Sequence, residues 1–567
     1  MARHTTSRGP ARGSSISDGN NSGRNLARKG DKALTEAADL HRAGQLEKAE
    51  KAYRRILRRR PSDPRALYFL GIAVHQRRRP KEAIRHFRAA LKGDLRNPEV
   101  HRHLGLALKD AGQPAAAEGA YREALSVAPN SPEILANLAT VLKTQGRLDE
   151  ALETLEQAVT LAPESAAILT ARGHALREAG QLDQAEAMHR RALTQRPGHA
   201  PSLTGLSAAL WRKGRDDEAA QAARAAIAQA PQLAQAHLML GNALRRLRQP
   251  QEAMAAFQAA SEAAPADPTP RVGLAEAAQD AGALETALRE GRYALELEPD
   301  AEFLHTVHGQ TLYALRAAGR PEQARHEAAV WLNAHPDSPT ARHLAPPLMD
   351  AAPPARASDH YVRATFDAFA ESFDDRLGAL DYTGPAVVEH LLRAARPEGV
   401  DALLDLGCGT GLAGPVLRPL ARRLEGLDLS PRMLARAGER NLYDALHEAD
   451  AEAFLAKAQT TWDAIIAADV LIYLGVLEPL MAAVAAALRP EGLFIATIEE
   501  ADGASWELRP SGRYRHSRAY LRQALDAAGL REERLDTVVL RHEGEQPVEA
   551  LAVVARRADG LFVNRSR

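Results

Sequence analysis

Apolar positions over the first 337 residues follow a helical spacing, and that spacing is itself repeated. Alanine stands at Ala49, Ala83, Ala117, Ala151, Ala185, Ala219, Ala253 and Ala287, each 34 residues after the last, and Ala324 follows after 37. Twelve positions beyond each alanine comes a proline, at Pro61, Pro129, Pro163, Pro197, Pro231, Pro265, Pro299 and Pro336, with Leu95 in the one remaining copy. Five positions before each alanine stands glycine, at Gly44, Gly112, Gly146, Gly180, Gly214, Gly282 and Gly319, with Arg78 and Arg248 in the other two copies. A period of this length predicts one supersecondary unit per repeat. Each unit reads as two short helices. The glycine reverses the chain between them, where a positive φ is cheap without a side chain, and the proline ends the second. Small residues on the first helix, such as Gly71, Gly105, Gly173 and Gly309, meet the alanine series on the second. Larger ones on the second helix (Tyr53, Phe87, Tyr121, Leu155, Phe257) fill the gap toward the neighbouring unit.

After residue 337 the pattern changes. Pro339, Pro346, Pro347, Pro353 and Pro354 crowd into 338–357, which predicts a semi-rigid linker. From 358 to 567, short apolar runs alternate with helical stretches, the mark of a parallel α/β sheet. The strand candidates are 402–406, 424–429, 464–468, 493–498, 537–541 and 549–554. Helices are expected near 359–377, 384–395, 411–423, 431–441, 475–488 and 518–528. Only a turn-like stretch, 542–547, separates the last two strands, so they should form an antiparallel hairpin.

Composition narrows the functional classes. The 567 residues carry 73 Lys and Arg against 73 Asp and Glu, so there is no overall pull toward nucleic acid or a membrane surface. The single cysteine, Cys408, excludes an internal disulfide and a cysteine-rich metal site, and points to a reducing, cytoplasmic compartment. No apolar run approaches the roughly 18 residues that span a bilayer. Residues 1–29 are rich in Ser, Gly and Arg and read as a disordered basic tail.

Candidate chemistry centres on Asp405-Leu-Gly-Cys-Gly-Thr-Gly411, between an apolar strand and a helix. Gly407, Gly409 and Gly411 let a ligand approach the backbone at the carboxyl end of a strand, where open α/β sheets bind ligands. A triphosphate loop would need GxxxxGK, which is absent, and a dinucleotide fingerprint would need glycine where Leu412 stands. An aspartate at the edge of the loop suits a ligand with an ammonium group better than a pyrophosphate. The next strand ends at Asp428, 19 residues after Gly409, where an acid is placed to accept ribose hydroxyls. Leu429 and Met433 would flank a base.

Two resemblances follow from these residues. The 34-residue unit resembles the tetratricopeptide repeat, in nine copies over 30–337. The string at 405–411 and its sequels resemble the S-adenosylmethionine site of class I methyltransferases. Those sequels are Asp428, Ala449-Asp-Ala-Glu452, Ala468-Asp-Val-Leu-Ile-Tyr-Leu474 and Leu488-Arg-Pro-Glu-Gly492. Together they imply an all-α repeat superhelix followed by a Rossmann-like α/β domain that uses S-adenosylmethionine. The resemblance implies that Asp405 and Cys408 sit in the cofactor loop. It also implies that Asp450 and Ala451 hold the adenine, that Asp469 lines the place where donor and acceptor meet, and that Phe373 covers the cofactor from a lid helix over 366–374.

For the acceptor side, the polar stretch 510–517 offers Arg513 to hold an acidic acceptor, and Tyr514 or His516 as base. No metal-ligand cluster is expected. The lack of an Asn-Pro-Pro-Tyr type motif after the fourth strand argues against amide or nucleobase-amine acceptors. That leaves oxygen or carboxyl groups of small molecules, or side chains of a protein held by the repeats. In the repeat family the groove is lined by first helices, where His75, Lys109, Lys143, Arg177, Trp211 and Arg245 share one phase. This basic stripe predicts an acidic peptide partner. The competing reading is an interaction scaffold whose methyltransferase domain binds cofactor without turnover.

Overall fold

The computed structural model of the chain describes residues 32–558 apart from 94–96, 372, 379, 459–460, 504 and 544–545. The basic tail expected over 1–29 lies outside them. The chain divides into two compact units, one ending at Arg248 and one beginning at Gln249.

In the first unit, helix pairs run from 32–42 with Leu46–Arg59 to Ala200–Arg212 with Asp216–Gln229, followed by Ala234–Arg246. In the second, Pro250–Ala263 precedes the pairs Thr269–Asp280 with Leu284–Leu297 and Glu302–Ala317 with Pro321–Ala334. Each of the nine expected units is thus met by two helices in sequence. The turn glycines have φ between +71° and +77°, and Arg78 and Arg248 take the same left-handed turn at +61° and +58°. Repeat packing therefore imposes the turn even where a side chain makes it costly. The wedge residues also fall as expected: a Cβ on Gly71 would stand 2.6 Å from the Phe87 ring, and one on Gly105 2.6 Å from Tyr121. His189 is a wedge the pattern missed. Its ring lies against both Gly173 and Gly205, where a Cβ would come within 2.7 Å and 2.3 Å.

Part of the expected linker is a helix, Pro339–Leu348. Pro339 sits in its first turn, where its missing N–H costs nothing, and the Ser338 hydroxyl caps Ala341 at 3.2 Å. Pro346 and Pro347 fall in its last turn. Leu344 and Leu348 pack into the core of the last helix pair, so burial holds a helix that proline content argued against.

The sheet has seven strands: β1 Val400–Leu406, β2 Ala421–Asp428, β3 Ala445–Glu448, β4 Trp462–Ala467, β5 Leu488–Glu499, β8 Leu530–Glu543 and β9 Gln546–Arg557. Their order across the sheet is β3-β2-β1-β4-β5-β9-β8. The first five are parallel; β9 runs antiparallel to β5 and to β8, as the hairpin predicted. Alternation along β1 sends Leu404 and Leu406 to one apolar layer, with Glu478–Ala487, and Leu403 to the other, with Gly384–Ala395. Two differences have local causes. The helix expected over 411–423 shrinks to Gly414–Leu417 and a 3₁₀ turn, Arg418–Leu420, because Pro419 cannot donate within it. Residues 510–517 are not simply a loop: β6 Trp506–Leu508 and β7 Tyr514–His516 form a small hairpin.

Candidate functional site

The order of strands reverses between β1 and β4, and a cavity opens at their carboxyl ends. Asp405, Gly407, Cys408, Gly409, Asp428, Leu429, Asp450, Ala451, Asp469 and Phe373, all expected at the cofactor, line it. Gly411 and Met433 do not. Gly411 turns at φ +78° against Ala437 and Tyr443, and Met433 is fully buried in its own helix, so both support the wall from behind.

Asp405 lies near the end of β1 and is almost fully buried. Its Oδ2 accepts a hydrogen bond from the Tyr443 hydroxyl at 2.7 Å, and among the described residues no cation pairs with it. Burial pushes its carboxyl up to about 6; the Tyr443 hydroxyl resists that shift, and Asp428 adds to it. Beyond it the chain turns through Gly407 at φ +71° and Gly409 at +55°. A Cβ on Gly407 would strike Val470 at 2.4 Å. One on Gly409 would meet only Phe373, at 3.8 Å, so the Gly409 backbone faces open space beneath that ring. Asp428 is held by main-chain donors: Gly409 N–H to Oδ2 at 2.9 Å and Ser430 N–H to Oδ1 at 2.8 Å. Burial raises its pKa against those bonds, and each oxygen keeps a further lone pair. Burial also pushes the Cys408 thiol up, which suits a small wall residue and not a nucleophile.

At the β2–β3 end, Asp450 caps helix Ala451–Lys457 by accepting from Ala453 N–H at 2.9 Å. Its other oxygen is 2.5 Å from Arg356 Nη2, a cavity residue that sequence patterning missed. Burial pushes the Asp450 carboxyl up, but the Arg356 bond outweighs it and leaves the pKa low. Arg356 also reaches Asp359 at 3.0 Å and Glu452 at 3.4 Å. It belongs to the short segment after helix Pro339–Leu348, which is stitched to the sheet domain by main-chain bonds. Ala357 N–H donates to Tyr473 at 2.8 Å, and the N–H groups of Gly475 and Val476 donate to Ala355 at 2.8 Å.

On the opposite side the wall is aromatic: Phe366, Phe373, Tyr382 and Tyr473. Asp469 follows β4 with φ +58°. Burial raises its carboxyl pKa; Arg541, Arg513 and the Tyr382 hydroxyl oppose that, and Glu499 adds to it. Arg513 lines the cavity as expected, but Glu499 faces it at 3.4 Å and counters its charge. Tyr514 and His516 require correction. Both are buried in β7, off the cavity wall, where alternating side chains of the hairpin turn inward. The Tyr514 hydroxyl donates to Pro354 O at 2.7 Å and His516 Nε2 to Gly475 O at 3.2 Å. Burial depresses His516 to about 4, and neither group is placed to take a proton from a substrate in the cavity. Tyr382 stands just before helix Gly384–Ala395, in a turn that gave no signal in the sequence.

In the first unit the basic stripe is half-buried at a common phase, but several of its groups are spent between repeats. His75 meets Asp110 at 2.9 Å, Lys143 meets Glu178 at 2.6 Å, and Arg246 lies over the Trp211 ring at 5.3 Å. Burial lowers the Arg177 pKa. The stripe is thus a ladder of partly compensated charges.

A family model described as a methyltransferase domain matches residues 381–534. Tetratricopeptide-repeat models match 34–98 and 170–234, 108–174, and 234–267. Among solved structures, the chain is similar to the APC/C hetero-tetramer Cut9–Hcn1 (13% identity, TM-score 0.40, covering 50% of this chain and 56% of that one). It is similar to the thermophilic TPR protein TTC0263 of Thermus thermophilus (24%, 0.30, covering 32% and 100%). It is also similar to the N-methyltransferase NodS of Bradyrhizobium japonicum, in complex with S-adenosyl-L-homocysteine (18%, 0.29, covering 35% and 98%). No curated protein matches the chain.

Proposed function

We propose that this chain, which joins tetratricopeptide repeats to a methyltransferase domain, transfers methyl groups from S-adenosylmethionine while its repeats hold a protein partner. The observation that carries the cofactor reading is Asp405: a buried carboxyl at the cavity floor, raised to about 6, without a cationic partner among the described residues. An ammonium group would supply that partner, and a pyrophosphate would worsen the repulsion. The open face above Gly409 and the spare lone pairs of Asp428 fit the same ligand.

The residues divide the work. Asp405 would take the ammonium, and the amides of the loop the carboxylate. Asp428 would accept the ribose hydroxyls, with Leu429, Ala451 and Asp450 about the adenine. Phe373, over the Gly409 backbone, would exclude water. When bound, the cofactor supplies a sulfonium methyl carbon already activated for attack. The protein then needs chiefly to align the acceptor, and alignment alone is worth several kcal/mol, up to roughly 7–11. Turnover is favoured over a pure scaffold by the line of loop, Asp428, Asp450 and Asp469 along one cavity, which leaves the aromatic side of that cavity for an acceptor. Among the described residues no helix is long and apolar enough to cross a membrane.

The test is turnover. Full-length protein incubated with S-adenosylmethionine and a cell extract should release S-adenosylhomocysteine above the level given by Asp428→Ala. Equal release from both proteins would contradict the reading.

A further inference from the structure

The acceptor half of the cavity has a chemistry separate from that of the nucleoside half. Its wall is four aromatic rings, with Phe366 edge-on to Phe373 at 5.9 Å and to Tyr473 at 5.5 Å between centroids. Into this wall is set one carboxylate, Asp469. Its backbone is fixed in the left-handed region at φ +58°, and its N–H donates to the Thr497 hydroxyl at 2.9 Å. Oδ1 is buried with no hydrogen-bond partner in reach among the described residues, while Oδ2 is 3.8 Å from Arg541 Nη1 and the Tyr382 hydroxyl also acts on the carboxylate. Both cations near Asp469 are shared with a second acid: Arg541 donates to Glu499 Oε1 at 2.6 Å, and Arg513 stands 3.4 Å from the same oxygen.

We propose that the methyl acceptor is an amine, received by Asp469 Oδ1 within the aromatic wall, and that the reaction is N-methylation. The proposal rests on the methyltransferase reading above and deepens it. A buried acceptor atom with no donor is costly to leave alone and selects a ligand that brings an N–H. Aromatic faces attract a cation, and their attraction grows when water is excluded. A carboxylate acceptor would instead bring a second negative charge beside Asp469. Its one cationic anchor on that part of the wall, Arg513, already faces Glu499. The oxygen and carboxyl acceptors expected from sequence are therefore replaced by an amine, on a small molecule or on a side chain of a bound protein. In the transfer, the bound ammonium first gives one proton to Asp469 Oδ1, and the nitrogen lone pair so freed forms the new N–C bond. The C–S bond breaks with its electron pair passing to sulfur, and the methylated nitrogen keeps its remaining protons and carries the positive charge. Charge and atoms balance without any further reactant.

The experiment uses the full chain saturated with S-adenosylhomocysteine and titrated with three probes of one size: benzylamine, benzyl alcohol and benzoate. Benzylamine should bind at least about tenfold more tightly than either of the others, and Asp469→Asn should erase that preference; asparagine tolerates the left-handed backbone better than most residues. Benzoate or benzyl alcohol binding as tightly as benzylamine would overturn the proposal in the wild-type protein alone. So would the absence of benzylamine binding, or a preference that survives Asp469→Asn. Failure of S-adenosylhomocysteine itself to bind would be a different result, since it would sink the cofactor reading before any acceptor is added.

Discussion

Asp405 carries two opposed demands. Its pKa is raised from an ordinary 3.8 to about 6 by burial, so the folded chain holds this proton more tightly than the unfolded chain does. The resulting stabilisation is full below about 4 and is lost as pH rises through about 6. In the proposed binding mode the cofactor's ammonium needs the ionised form, which works in the opposite direction. Affinity for S-adenosylmethionine should fall as pH drops below about 6, approaching tenfold per unit, as calorimetry across about pH 5–8 would register. Asp405→Asn keeps an acceptor for Tyr443 and removes the charge. It should raise the melting temperature of the unliganded protein at about pH 8 while abolishing measurable cofactor binding; unchanged affinity would contradict the assignment. Asp405 and Asp428 were legible in the sequence because glycines and a strand end fix their positions. Tyr514 and His516 were misread because β7 has only three residues, too few for its alternation to reveal which side chains face inward. Tyr382 and Arg356 came from stretches with no periodic pattern at all.

Among the elements, the pairing of repeat helices was legible, since glycine, alanine and proline each mark a fixed point of the unit. The exceptions are informative. His189 takes a wedge position that Phe87, Tyr121 and Phe257 hold elsewhere, and both of its ring nitrogens are buried without hydrogen-bond partners among the described residues. Burial, with His174 and Arg177 adding, lowers its pKa from 6.5 to about 3. The stabilisation from keeping it neutral is present above pH 6.5 and is lost progressively as pH falls below that value toward about 3. His189→Phe should stabilise the protein by about 1–3 kcal/mol at neutral pH and flatten the acid side of its stability curve. Urea denaturation at about pH 5 and about pH 7.5 measures both, and a destabilised variant with the wild-type pH slope would be the contrary result. Helix Pro339–Leu348 escaped the sequence reading because only Pro339 sits where proline is tolerated, and burial of Leu344 and Leu348 holds the helix despite Pro346 and Pro347. β3 escaped because it is a four-residue edge strand with little buried surface. The segment after helix Pro339–Leu348 carries Arg356 to Asp450, so the cavity is completed by chain lying before the sheet begins. Arg356→Ala should weaken S-adenosylmethionine binding about tenfold and raise the Asp450 pKa, giving affinity a new acid limb; Arg356→Lys should restore part of both. Affinity that stays unchanged at every pH would show that the ion pair is only structural.

For the molecule as a whole, the charge balance of 73 against 73 left the partner to local patches. The fold classes of both parts were visible, because a 34-residue period and a glycine-rich strand–turn are each long-range signatures. The state of the basic stripe was not, because pairing between residues 35 apart, such as Lys143 with Glu178, appears only once helices stack. If the stripe receives an acidic peptide, Lys109, Lys143 and Arg177 changed together to Glu should abolish binding of a poly-glutamate probe and leave cofactor affinity untouched. Retained probe binding would restrict the stripe to holding repeats together. The ligand that occupies the cavity beside Asp405 and Asp428 decides the chemistry of the whole chain. Titration calorimetry of the full chain with S-adenosylmethionine should show saturable binding, weakened about 10–100-fold by Asp428→Ala, the scale of a lost charge-assisted hydrogen bond. Saturable binding of a nicotinamide or flavin dinucleotide, with none of S-adenosylmethionine, would contradict it.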